Sequence, residues 1–88
     1  MKVKNMTSNS GNEVPNQFEI WDDAGNRFFQ SYDSIIVKID KRGEIILDEK
    51  YWDYSRTTSK YRNDFLGMSS KEIKNGVEDG TIRLENLN

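Results

Sequence analysis

This chain of 88 residues carries 13 Lys and Arg against 15 Asp and Glu, a net charge of −2, with 34% hydrophobic and 11% aromatic residues and neither His nor Cys. A chain this short forms one domain, burying roughly 60–65% of the surface exposed on unfolding, so its core is thin and self-association or a target helps to stabilise it. The charge balance argues against generic duplex binding, and the missing residue types exclude disulfide frameworks, thiol nucleophiles, thiolate or imidazole metal sites and histidine acid–base chemistry.

Residues 1–16 read as a flexible or partly ordered segment, and residues 17–88 as a single domain. Lys2-Val3-Lys4 alternates as a short edge strand would. Thr7 to Glu13 is polar loop material, in which Asn9, Ser10, Gly11 and Asn12 are small enough to turn backbone N–H groups toward an anion. From Gln17 the pattern becomes strand-like: Phe18 and Ile20 fall on one face, Glu19 and Trp21 on the other. Asp22 to Asn26 is a turn with glycine at its fourth position. Arg27 to Tyr32 is the next strand, grouping Phe28, Gln30 and Tyr32. Ser34 to Asp40 follows with Ile35, Val37 and Ile39 inward, and Lys41-Arg42-Gly43 closes a hairpin onto Glu44 to Asp48.

The period then lengthens. Asp53 or Ser55 caps a helix in which Tyr54, Thr58, Tyr61 and Phe65 form the buried stripe, widened by Leu66, and Gly67 ends it. Arg56, Lys60 and Asn63 lie on the opposite face, with Ser59 and Arg62 flanking the stripe. Ser69 or Ser70 starts a second helix from Lys71 to Gly76 or a little beyond. Thr81 to Glu85 alternates as a last strand. The expected fold is α+β, a small, mostly antiparallel sheet of four to five strands with two short helices on one face, in the order β-β-β-β-α-α-β. Ile36, Ile46 and Trp21 then point away from the helices, covered by sheet curl, the N-terminal segment or an interface such as a homo-oligomer.

Lys50 to Arg62 holds four positive charges and one negative, interleaved with aromatics. Tyr51 and Trp52 lie in an extended link, where one of them faces outward as a contact aromatic. Ser55, Arg56, Thr57, Lys60, Arg62 and Asn63 surround a helix start whose free N–H groups and dipole favour an anion. Solvated helix-face charges explain the same residues without a ligand. Asp48, Glu49, Asp53 and Asp64 are the remaining acid–base candidates, and no spacing among them matches a metal loop or phosphate-binding motif. The expectation is a protein without enzymatic activity, cofactor or metal. No apolar run approaches the ~20 residues of a membrane span and the start lacks a signal-peptide core, so the expected setting is cytoplasmic, away from membranes.

Several pieces, Asn9-Ser10-Gly11-Asn12, Phe29-Gln30-Ser31-Tyr32, Tyr51-Trp52-Asp53-Tyr54-Ser55 and Lys60-Tyr61-Arg62-Asn63 among them, make the chain resemble a family of small proteins encoded by bacteriophages and prophages of Gram-positive bacteria. That resemblance implies a phage context and the host bacterial cytoplasm. It suggests a counter-defence inhibitor, of anti-CRISPR type, that binds a host defence protein or another bacterial protein. An accessory protein that binds single-stranded nucleic acid or a nucleotide through residues 50–63 is the alternative.

Overall fold

The computed structural model describes all 88 residues as an α+β fold. Six strands, β1 (Lys2–Thr7), β2 (Glu13–Trp21), β3 (Arg27–Ser31), β4 (Ser34–Ile39), β5 (Ile45–Asp48) and β6 (Arg83–Glu85), form one sheet in chain order. The first five are an antiparallel meander, and β6 joins β5 in parallel. The crossover between them contains α1 (Arg56–Leu66) and α2 (Ser70–Asp79). The strand order thus has one member more than the alternation suggests, because β1 pairs along Lys2–Asn5 with Phe18–Trp21. No helix is long and apolar enough to cross a membrane.

Three of the hairpins share one loop. In Ser8–Asn12, Asp22–Asn26 and Asp40–Glu44 the first residue's N–H donates to the fifth residue's carbonyl at 2.8, 3.1 and 3.0 Å. The fourth residue is a glycine in the left-handed region, at φ 84°, 92° and 85°. A side chain would strain that conformation, which is why glycine recurs at the same offset. Asp22 accepts from the Asn26 side chain and from the Asn26 and Ala24 N–H groups, and Asp40 from the Glu44 and Arg42 N–H groups; these bonds hold both carboxyls below the usual range.

Both helices carry their start and stop signals. Ser55, not Asp53, caps α1 by accepting Thr58 N–H at 3.1 Å, and Gly67 ends it at φ 65°. Ser69 caps α2 in a reciprocal box with Glu72. The core joins Phe29, Ile36, Val37 and Leu47 from the sheet to Tyr61, Phe65 and Ile73 from the helices, with Met6 and Ile82. Each such side chain contributes roughly 1.5–3 kcal/mol by leaving water.

The register corrects the sequence-based face assignment. Phe29, not Phe28, faces the helices, stacked 5.9 Å from Phe65. Trp21 is the register partner of Arg27, whose guanidinium lies 5.0 Å over the Phe65 ring, so Trp21 shares the helix side while Phe18 and Ile20 take the other. Alternation alone does not say which of the adjacent Phe28 and Phe29 is inward, and the β2–β3 register carries that choice to Trp21; at Ile36 the cause is a bulge. Phe29 pairs with Val37 but Gln30 with Ile35, so Ile36 is an extra residue and joins Val37 in the core. The inserted residue turns Ile35 to the outer face, while Val37, Ile39, Ile45 and Leu47 keep the helix side that their alternation assigns. Ile46 does point away from the helices, in a cross-strand row with Ile20, Phe28 and Lys38.

Two packing details give expected results. Gly76 lies inside α2 because a Cβ there would meet the Ile82 side chain at 2.6 and 2.8 Å. Gly76→Ala should therefore destabilise by about 1–3 kcal/mol despite a helix-propensity gain of about 1 kcal/mol. Chemical denaturation of Gly76→Ala, Ile82→Ala and the double variant should show strong coupling between them. Gln17 is fully buried beside Ser31, and neither end of its amide has a hydrogen-bond partner. Gln17→Met keeps the shape and removes that deficit, so it should raise stability by about 1–2 kcal/mol in the same assay.

Candidate functional site

The larger of two concave features of the surface is a cleft of about 520 Å³ where β3, the β3–β4 turn and the start of α1 converge; the other, about 220 Å³, lies against β1 and β2. Its aromatic walls are Tyr32, Tyr51 and Tyr54, its hydroxyls Ser31, Ser34 and Thr58, and its one carboxylate Asp33; Ile36 completes the lining. The Ser31 and Thr58 hydroxyls are hydrogen-bonded at 2.8 Å and buried, fastening α1 to β3. Tyr51 and Tyr54 meet edge to face at 5.5 Å.

Tyr32 is the unusual member. The β3–β4 turn is only Tyr32-Asp33, and it places Tyr32 at φ 55°, with its N–H donated to the Asn16 carbonyl at 2.7 Å. Asn16 shares the left-handed conformation at φ 65°, but asparagine tolerates it and a bulky aromatic does so poorly. The ring is also 54% exposed, so no core packing offsets this strain. Outliers held in this way concentrate at functional sites. Tyr32→Gly should therefore raise the melting temperature, by an amount corresponding to about 1 kcal/mol, while removing one wall of the cleft. A thermal melt beside a binding measurement separates the two effects.

The candidates from the sequence disperse in the structure. Only Tyr51 lines the cleft. Tyr51 and Trp52 are half-buried and pack against the core, so the expectation of an outward contact aromatic there is corrected. Tyr54, assigned by spacing to the buried stripe, is 69% exposed, because α1 begins after Ser55 and Tyr54 lies outside it. Ser55 is the helix cap. Arg56, Thr57 and Lys60 are exposed on α1, with Lys60 Nζ 5.2 Å over its neighbour Tyr61's ring.

Arg62 is corrected from a surface cation to a fully buried one. Its guanidinium donates to the Trp52 carbonyl, to Asn63 Oδ1 at 3.0 and 3.1 Å and to Ser70 Oγ at 3.3 Å, with Asp53 at 3.5 Å. Burial pulls its pKa below the ordinary arginine value, and Asp53 restores only part. Asn63 is likewise occupied, donating to Ser70 Oγ at 2.9 Å. Asn9, Ser10, Gly11 and Asn12 stand exposed in the β1–β2 hairpin loop, where Gly11 N–H is used within the turn and the Ser8, Ser10 and Asn12 side chains bond one another. None of the four lines the cleft.

A second buried charge holds the link that carries Tyr51 and Tyr54. Asp48, 1% exposed, accepts Lys50 and Tyr51 N–H on one oxygen and Leu87 N–H and Asn88 Nδ2 on the other, at 2.8–3.1 Å. Burial alone would raise its pKa, but hydrogen bonds from Leu87, Tyr51, Asn88 and Lys50 outweigh it and hold the carboxyl below its usual value. Asn88 also exchanges side-chain bonds with both the N–H and the carbonyl of Ile35, at 2.7 and 3.0 Å. No signal of spacing marks Tyr32 or Asp33 as cleft residues; the two-residue turn between alternating strands was the one available hint.

Comparison with curated proteins and with solved structures gives no match. Residues 1–81 match the model described as "Family of unknown function (DUF8033)", and the chain belongs to that family.

Proposed function

We propose that this chain is a non-enzymatic binding protein that inhibits a bacterial host factor, a phage counter-defence protein of anti-CRISPR type, and that it makes contact through the tyrosine cleft. The observation that carries the binding reading is the pair Tyr32 and Tyr54, two large rings left more than half exposed around a concave surface, one of them on strained backbone. Exposed tyrosines beside a pocket are the usual anchors of a protein contact, because they bury much area at little entropy cost. The phage setting and the counter-defence role rest on the motif resemblance, which runs through the cleft-lining residues Ser31, Tyr32, Tyr51 and Tyr54.

The lining favours a protein partner over a nucleotide or single strand. It contains no Lys or Arg to neutralise a phosphate, and Arg62 is committed inside the domain. The test is functional. Expression in a bacterium with an active CRISPR system should restore plating of a targeted phage, and Tyr32→Ala with Tyr54→Ala should lose that effect while the protein stays folded. Unchanged restriction with the parent protein would remove the counter-defence reading, and substrate turnover by the purified chain would remove the non-enzymatic one. Affinity for a single strand that collapses with added salt would move the assignment to nucleic acid.

A further inference from the structure

We infer that the tyrosine cleft accepts an arginine side chain of the partner protein. This rests on the reading of the cleft as a protein-contact site and adds what the contact recognises.

The argument begins with where this chain puts its own cations. Lys2 lies 5.4 Å over the Trp21 ring, Lys50 5.4 Å over Tyr51, Lys60 5.2 Å over Tyr61 and Arg62 5.7 Å over Trp52. Of the tyrosines and tryptophans, only Tyr32 and Tyr54 carry no such cation, and these are the two exposed rings of the cleft. Both residues are more than half exposed, so a cation supplied from outside can reach their rings.

The charges around the cleft agree. Asp33 is its only ionic lining residue, and it is exposed in the turn beside Tyr32. A carboxylate that lines the same cleft as two exposed tyrosines is complementary to a cation and repels a phosphate. The start of α1 would oppose a cation through its dipole, and its first turn has no acidic residue of its own. Asp53 meets that end instead, accepting from the Ser59 hydroxyl at 3.3 Å. Arginine fits better than lysine here. Its guanidinium is flat, stacks on tyrosine and sheds water more readily, whereas an ammonium holds its hydration. The Ser34 hydroxyl on the rim is an acceptor for the remaining N–H groups.

The test is an NMR titration of the purified chain with a capped Gly-Arg-Gly peptide, followed on the Tyr32 and Tyr54 ring resonances at physiological ionic strength. The citrulline and lysine counterparts and AMP are the comparison ligands. The arginine peptide should move both rings to saturation, with affinity about tenfold weaker for citrulline, which keeps the shape but loses the charge. Asp33→Asn, at an exposed position, should remove most of that preference without altering the melt. Equal binding of arginine and citrulline, or preference for AMP, would overturn the inference. If that happens while Tyr32→Ala and Tyr54→Ala still abolish protection of the phage, the cleft remains a contact site with a different occupant. If the arginine preference holds but those variants keep full protection, the cleft recognises the guanidinium and the inhibitory contact lies elsewhere.

Discussion

Replacing Arg62 with alanine is expected to destabilise the protein by about 3–4 kcal/mol, a large share of the stability, on the order of 5–10 kcal/mol, of a domain this size. The side chain is the largest fully buried one in the molecule. Its removal leaves a cavity the size of its own buried side chain and takes the donor from the Trp52 carbonyl and from Asn63 Oδ1, while Ser70, which is exposed, keeps its bond from Asn63 Nδ2. At roughly 4–8 °C per kcal/mol, the thermal midpoint should fall by roughly 15 °C or more. Lysine should recover less than half of the loss, because an ammonium lacks the planar fork that reaches Trp52 on one side and Asn63 with Ser70 on the other. Asp53→Asn should matter much less, since that carboxylate is half exposed and 3.5 Å away. Thermal melts of the three variants check the order. Arg62→Lys matching the parent would show that the guanidinium geometry is unimportant.

Asp48→Ala should cost about 3 kcal/mol, and here the effect is also pH-dependent. The carboxylate collects four N–H donors from residues 50, 51, 87 and 88. A hydrogen bond to a charged group is worth roughly 1.5–3 kcal/mol, and several here would be broken at once. Its pKa is lower in the folded state than the ordinary aspartate value that the unfolded chain shows. The folded form therefore binds fewer protons than the unfolded form between the two pKa values. The contribution is fully present above about pH 5 and is lost as pH falls through the folded pKa. Denaturation from pH 7 down to pH 2 should show a steeper loss for the parent than for Asp48→Asn, which starts less stable. Parallel curves would assign the acid sensitivity to other groups. Hydrogen exchange should also quicken at the Tyr51 and Leu87 amides of the variant, since both are tethered by this carboxylate.

The element order was largely legible in the sequence because local signals agreed with the fold. Glycines at the fourth loop position, Ser55 and Ser69 before helical periods, and Gly67 after the first of them all act through nearest neighbours. What failed were the faces of β2, β3 and the start of β4, whereas Val37, Ile39, Ile45 and Leu47 face the helices as alternation assigns. Alternation from Phe18 to Ile39 cannot reveal the extra residue at Ile36, since a bulge leaves no compositional mark, and Phe28 and Phe29 are indistinguishable as candidates for the core. The site failed for a different reason. Arg62 sits four residues after Thr58 and three before Phe65, on the buried stripe by spacing, yet arginine is read as surface by habit. Position was the better guide than chemistry. Tyr54 erred in the opposite sense, because its four-residue step to Thr58 continues a helix that has not yet begun. Tyr32 and Asp33 meet Tyr51 and Tyr54 only through the return of α1 across β3, a long-range event invisible to any window.

Strand order that follows chain order has a consequence for synthesis. Each strand from β2 to β5 pairs with the one made just before it as the polypeptide leaves the ribosome, so the meander is suited to vectorial growth by successive hairpins. The last strand must wait for residues 49–82 to emerge and compact. Until then β5 is a raw margin, and a nascent chain stalled there is the species most exposed to mispairing with its neighbours.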